Sequence, residues 1–330
     1  MADALNLYIH WPFCLSKCPY CDFNSHVAAN IDAARWRRAL VREIETFASR
    51  TAGRTVTSVF FGGGTPSLMD PADVAGVLDA VRAGWPASKD CEITLEANPT
   101  SSEAGRFRAF REAGVNRLSI GVQSFDDEVL RFLGRTHAGA DGARAIEAAL
   151  TVFARVSFDL IYAVPGQTSP DWSRQLARAV DFPVRHLSVY QLTVAPGTVF
   201  HREGVAEADP DTGAALFELT QERLGYAGLP AYEISNHAVP GEECRHNRAV
   251  WNGWDYLPIG PGAEGRLKDT DGTLALNQHR LPQRWVEAVE AHGTGLARRR
   301  RLRPSERQAE LVILGLRLAE GLDRARFRQR

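Results

Sequence analysis

The sequence predicts an α/β fold, a partial (β/α)6 barrel whose helices lie outside a parallel sheet, with a C-terminal α-rich extension. Three observations predict it. Six short β-rich runs alternate with amphipathic segments over the first two hundred residues. The amphipathic segments carry apolar residues at helical spacing. The unusual motifs all fall just after the β-rich runs, at the carboxyl ends of strands, where such folds gather their chemistry.

The expected strands are LNLYIH (5–10), TVTSVFF (55–61), CEITLE (91–96), RLSIG (117–121), VSFDLIYAV (156–164) and RHLSVYQL (185–192). Between the first two, Trp36, Leu40, Ile44 and Phe47 recur on one helical face, with arginines and glutamates on the other. The cysteine-rich stretch follows the first strand, GGGTP the second, EANP the third, GVQSF the fourth and PGQT the fifth. Beyond residue 205 the alternation fades into a helix (209–227), a Gly/Pro/aromatic-rich loop region (228–265) and a basic, helical C-terminus (283–330). The expected organisation is therefore a barrel over 1–205, an extension over 206–265 containing HNRAVW, and a small, shortened helical region over 266–330.

Composition narrows the function. With 39 basic and 40 acidic side chains the net charge is -1, so no electrostatic footprint for nucleic acid is visible. No stretch reaches the roughly 18 apolar residues of a transmembrane segment, and no basic region precedes an apolar run. A cytoplasmic protein is expected, in which thiols stay reduced and a tight cysteine cluster reads as a metal site.

Three of the five cysteines, Cys14, Cys18 and Cys21, fall in the stretch YIHWPFCLSKCPYCDFNSH with the spacing CxxxCxxC. This spacing differs from the paired CxxC knuckles of structural zinc, and no fourth thiolate lies nearby as in a ferredoxin run. Three thiolates on one short loop can hold three corners of a [4Fe-4S] cube and leave one iron open for a ligand. Structural zinc with a distant fourth ligand, and cysteines that merely fall close together, are the alternatives.

CxxxCxxC after a first barrel strand resembles the radical S-adenosylmethionine (SAM) superfamily. GGGTP after the second strand adds to the match, since glycine lets a ligand approach the main chain closely. YIHWPFCLSKCPYCDF, FFGGGTPSL, ITLEANP, RLSIGVQSFDDEVLRFLGRTH, FDLIYAVPGQT, HLSVYQLTVAPGT and YEISNHAVPGEECRHNRAVW together resemble the branch of oxygen-independent coproporphyrinogen III oxidases and HemW-type haem chaperones. The resemblance covers residues 8 to about 265. It implies a [4Fe-4S] cluster on Cys14, Cys18 and Cys21 that chelates SAM and cleaves it to a 5'-deoxyadenosyl radical, with an electron donor for the cluster. It assigns Tyr8, Gly63, Gly64, Thr65 and Glu96 to SAM, lays Tyr20 against the adenine, and places Gln123, Arg135 and Asp159 where the oxidase contacts a second SAM. Read without the motif, Glu96 and Asp159 are capping or ion-paired carboxylates, Arg135 a solvated helix-end charge and Gln123 a turn amide.

Two features favour the chaperone side of the branch. Only 13 residues precede Cys14, and Phe23 stands where the oxidase has a fourth cysteine. CRHNRAVW resembles the chaperone's HNxxYW haem motif, with His246 as the expected axial ligand, Val250 in place of the tyrosine, and Cys244 as an alternative thiolate. GPGAEG (260–265) departs from the family's GPGAHS at Glu264 and Gly265. The expectation is a haem-binding chaperone that passes its cargo to an acceptor protein. The alternatives are coproporphyrinogen III oxidation through the adenosyl radical, or a radical SAM reaction on another substrate.

Overall fold

The structure, a computed structural model, describes residues 3–28, 30–100, 105–324 and 327. The end of the expected helical C-terminus, at 325, 326 and 328–330, lies outside the described residues. The six expected strands form in order as β1 (Ala4–Trp11), β4 (Thr55–Gly63), β5 (Ala87–Ala97), β6 (Arg117–Gln123), β7 (Arg155–Tyr162) and β8 (His186–Gln191). The short strands β2 (Phe13–Cys14) and β3 (His26–Val27) pair in parallel and close the cysteine loop at its two ends.

Each of the six barrel strands runs parallel to the next. The helices Ala33–Arg50, Pro71–Gly84, Phe107–Ala113, Gly139–Leu150 and Ser169–Val180 make the crossovers. Leu5, Leu7 and Ile9 share the core with Trp36, Leu40, Ile44 and Phe47, the face that the helical spacing marks. Each such side chain, fully buried, stabilises the fold by about 1.5–3 kcal/mol. The opposite face of the sheet is polar: Asn6, Ser58, Glu92, Thr94, Arg117, Ser119, Ser157 and Ser188 are all buried. A polar inner face needs internal partners, and it finds them in its own hydrogen bonds, such as Ser58 to Asn6 at 2.7 Å and Ser119 with Ser157 at 2.9 Å.

The sheet does not close on itself. It gains β9 (Ala231–Glu233), β10 (Asn236–Ala238), β11 (Tyr256–Ile259), β12 (Glu264–Asp269), β13 (Gly272–Gln278) and β14 (Leu296–Arg301). Among the described residues it has twelve strands in the order β14-β13-β12-β11-β1-β4-β5-β6-β7-β8-β10-β9. Residues 266–330, expected as a small helical region, hold the helices Pro282–His292 and Pro304–Gly315 together with antiparallel strands. The strands escape periodicity because β14 reads LARRRR, an exposed edge whose arginines face water and carry no apolar alternation.

Glu43 fastens this extension to the first barrel helix. Its fully buried carboxylate accepts hydrogen bonds from Gly260 N at 2.9 Å, Gly295 N at 2.7 Å and Trp285 Nε1 at 3.1 Å. Burial pushes it up to about 7, although these donors pull it down. Trp36 stacks on Trp285 beside it, with ring centroids 5.3 Å apart. A glutamine turns one acceptor oxygen into a donor that faces these N–H groups. Glu43→Gln is therefore expected to lower stability by about 2–4 kcal/mol, the cost of leaving buried donors unpaired. Chemical denaturation of the two proteins checks this, and an unchanged midpoint would contradict it.

Candidate functional site

The carboxyl ends of the six barrel strands surround one cavity of about 420 Å³. Cys14, Cys18, Cys21, Tyr20, Gly63, Gly64, Thr65, Glu96, Gln123, Arg135 and Asp159 all line it. Eleven residues drawn from five separate motifs thus meet in one place. Tyr8 and His246 do not line this cavity; both face an adjoining cleft that shares Gly63, Glu96 and Phe23 with it.

The two loops that frame the cavity are stitched to each other. Gly64 N donates to Trp11 O at 2.7 Å and Thr65 N to Phe13 O at 2.9 Å. A Cβ added at Gly64 would lie 2.7 Å from Phe13 O, so the close approach is to the cysteine loop's own backbone. Gly63 has φ +116°, and a Cβ there would meet the His10 ring at 2.6 Å. Both glycines are required by the fold before any ligand is considered.

Each of the three sulfurs has a hydrogen-bond partner. Thr65 Oγ1 donates to Cys14 at 3.4 Å, Arg135 NH1 to Cys18 at 3.5 Å, and Ser25 Oγ lies 3.7 Å from Cys21. Burial pushes the Cys14 and Cys21 thiols up, while Thr65 and Ser25 respectively draw them back. Among the described residues no three His, Cys, Asp or Glu side chains converge as a single metal ion requires. Three sulfurs on one loop, each met by a donor and set around an open cavity, suit the corners of a cluster. Arg135 is no solvated helix end: its NH2 donates to Asn98 Oδ1 and Gly121 O, both at 2.7 Å, and its buried Nε has no partner among the described residues.

Gln123 closes β6 with φ +69°, at an irregularity in the pairing of β6 with β7. A left-handed glutamine costs on the order of 1–3 kcal/mol, and here it turns the end of the strand onto the cavity wall. Tyr20 is anchored against Phe200, beside Leu133, Ile161 and Leu192. On the far wall, burial followed by the charge of Asp159 pushes Glu96 up to about 8. Burial raises Asp159 to about 6, with Ser188 and Arg117 pulling it down. The pair is a low-dielectric carboxylate wall that a cation would return to the ionised state.

The HNRAVW segment forms the helix Arg245–Trp251, packed against β4 inside the polar face. The side chain of Cys244 does not cap this helix. Glu92 caps it from β5 instead, accepting from Arg245 N at 2.9 Å and His246 N at 3.3 Å, and is itself held by Arg155 NH1 at 2.6 Å. The Cys244 thiol is fully buried and donates to Glu92 at 3.5 Å, and burial pushes it up to about 12. Cys244 lines neither cavity, whereas His246 lines the adjoining cleft. His246 Nδ1 lies 3.2 Å from Ser58 Oγ, and burial lowers the ring to about 3, so the imidazole is neutral.

Residues 8–174 match the Radical SAM superfamily. The chain belongs to the radical SAM superfamily. Over 98% of its length it is 38% identical to the heme chaperone HemW of Escherichia coli, covering 85% of that protein. It is 40% identical to the mitochondrial radical S-adenosyl methionine domain-containing protein 1 of Bos taurus, covering 98% of this chain and 75% of that one. Coproporphyrinogen III oxidase (HemN) of Escherichia coli, described as a radical SAM enzyme, superposes with a TM-score of 0.85 at 25% identity, over 99% of this chain and 78% of the other. Within the superfamily the chain therefore sits in the HemW-type, coproporphyrinogen III oxidase-like branch. Among the described residues no helix is long and apolar enough to cross a membrane.

Sequence reasoning passed over Asn98, Ser25 and Glu92. Asn98 Nδ2 donates to Thr65 Oγ1 at 3.1 Å, linking the Arg135 and Cys14 contacts. Its position inside EANP was the available signal. Glu92 gave none, since a charged residue in CEITLE reads as the solvent face of a strand.

Proposed function

We propose that this chain is a haem chaperone that binds a [4Fe-4S] cluster on Cys14, Cys18 and Cys21, holds SAM beside it, and passes haem to an acceptor protein. The observation that carries the reading is the meeting of three separately hydrogen-bonded thiols with the glycine loop and two carboxylates around one cavity. The likeness to HemW proteins over nearly the whole chain supplies the cargo.

In this reading Cys14, Cys18 and Cys21 would hold the cluster, which would supply one-electron chemistry once reduced by an external donor. The protein's own groups do the rest. Gly63 and Gly64 offer main-chain carbonyl oxygens to the amino group of SAM, their N–H groups being held by Glu96 and Trp11. Glu96 and Asp159 face its positive charge, Tyr20 provides an aromatic wall, and Arg135 and Gln123 orient the remaining polar edge. Tyr8 acts from behind, since its ring lies 2.9 Å from where a Cβ on Gly62 would be and so fixes the backbone of the loop. His246 is the haem-facing base.

The raised Glu96 gives a test of the SAM pocket with a definite sign. A carboxyl lifted to about 8 holds its proton at pH 7, and a cation bound beside it lowers that value and drives the proton off. SAM titrated calorimetrically at pH 7 in buffers of different ionisation enthalpy should release more protons from the native chain than from Glu96→Gln, by a sizeable fraction of one proton. Equal release from both proteins would remove Glu96 from the pocket. The chaperone reading itself is tested by asking whether one anaerobic preparation takes up haem while leaving coproporphyrinogen III unconsumed.

A further inference from the structure

The adjoining cleft, about 410 Å³ in volume, opens between β1, the cysteine loop, the helix Arg245–Trp251 and the extension. His246, Val250, Tyr256, Glu264 and Arg280 are among its walls. It has the mixed apolar and polar character of a small-molecule site, and it meets the larger cavity at Gly63 and Glu96.

Arg280 stands out on this wall. Its backbone is fixed, because one Asn24 amide donates both to Arg280 O at 2.9 Å and to Pro261 O at 3.0 Å. Its side chain is exposed, and among the described residues no carboxylate pairs with it. Several arginines of the extension are engaged, Arg266 with Glu310, Arg300 with Glu306, Arg301 with Asp269 and Arg307 with Glu310, and Arg284, Arg298 and Arg299, which have no ion pair among the described residues, do not line the cleft. Burial, with a smaller contribution from the Arg280 charge, lowers His10 and His26, so both rings are neutral and do not compete with Arg280 as the positive group of this wall. Glu264 puts the opposite sign on another part of the wall. A ligand that brings carboxylates is drawn to Arg280 and turned away from Glu264. Val250, lacking the phenol of the family motif, leaves an apolar surface beside His246.

We propose that this cleft receives one edge of the haem macrocycle, with His246 toward the iron and Arg280 holding a propionate carboxylate. The inference rests on the haem-binding reading and adds the residue that sets the orientation of the cargo. A planar guanidinium pairs with a carboxylate through two parallel N–H···O bonds, so Arg280 distinguishes free propionates from esters.

The test uses the full chain, titrated with haemin and with haemin dimethyl ester and followed in the Soret band. Arg280→Gln should weaken haemin about tenfold, which corresponds to roughly 1.4 kcal/mol, and leave the dimethyl ester unchanged. Native protein should prefer haemin to the ester by a similar factor. Arg298→Gln, an exposed charge on β14, should change neither affinity. Haemin binding that depends on His246 yet is equal in native and Arg280→Gln protein would overturn the inference and leave the haem reading standing. Haemin binding that is absent, or indifferent to His246→Ala, would overturn both.

Discussion

Protein reconstituted with iron and sulfide without oxygen should carry about four of each per chain, and alanine at Cys14, Cys18 or Cys21 should abolish the cluster outright. The loss is expected to be complete because three thiolates leave no spare ligand. Cys91→Ala and Cys244→Ser should retain full iron: Cys91 lies on β5 away from the cavity lining, and Cys244 is buried against Glu92. Removing a donor is a subtler change. Thr65→Ala deletes the 3.4 Å contact to the Cys14 sulfur and should lower the cluster's reduction potential while iron content holds, since a hydrogen bond to sulfur favours the reduced, more negative cluster. Iron and sulfide analysis with protein-film voltammetry checks both. Stoichiometric zinc in place of iron after anaerobic purification would contradict the assignment.

His246→Ala should cost the haem Soret band most of its intensity or shift it, because the axial nitrogen sets the field at the iron. Cys244→Ser should leave the band in place. The asymmetry follows from the structure, in which the Cys244 thiol donates to Glu92 while the His246 ring borders the open cleft. A stronger effect of Cys244→Ser than of His246→Ala, at equal folded content by circular dichroism, would transfer the ligand role to the thiol.

The barrel is legible in the sequence because its strands are local events. β1, β4, β6, β7 and β8 begin and end within about two residues of their apolar runs, and the helix Ala33–Arg50 buries Trp36, Leu40, Ile44 and Phe47 as its spacing implies. The extension is less legible, since its strands exist through distant pairing: β11 lies parallel to β1 across some 250 residues of sequence, and β14 is an arginine-rich edge. The site divides in the same way. CxxxCxxC, GGGTP and EANP name the cavity because each motif sits at a strand end. Glu92 capping the helix Arg245–Trp251, and Glu43 binding the extension, are contacts between residues 153 and 217 positions apart, which no local pattern carries. The polar inner face was written in the period of two, with Glu92, Thr94 and Glu96 on alternate positions of one strand, but that pattern equally describes a strand facing water.

One measurement bears on the central claim most directly. A single anaerobically reconstituted preparation, supplied with reductant and SAM, is divided between a haem titration and an assay for coproporphyrinogen III consumption. The account predicts a His246-dependent haem complex whose cargo moves to an added apo-haem protein, and no decarboxylation above the level of Cys18→Ala. Coproporphyrinogen consumption well above that control, with no His246-dependent haem band, would contradict it.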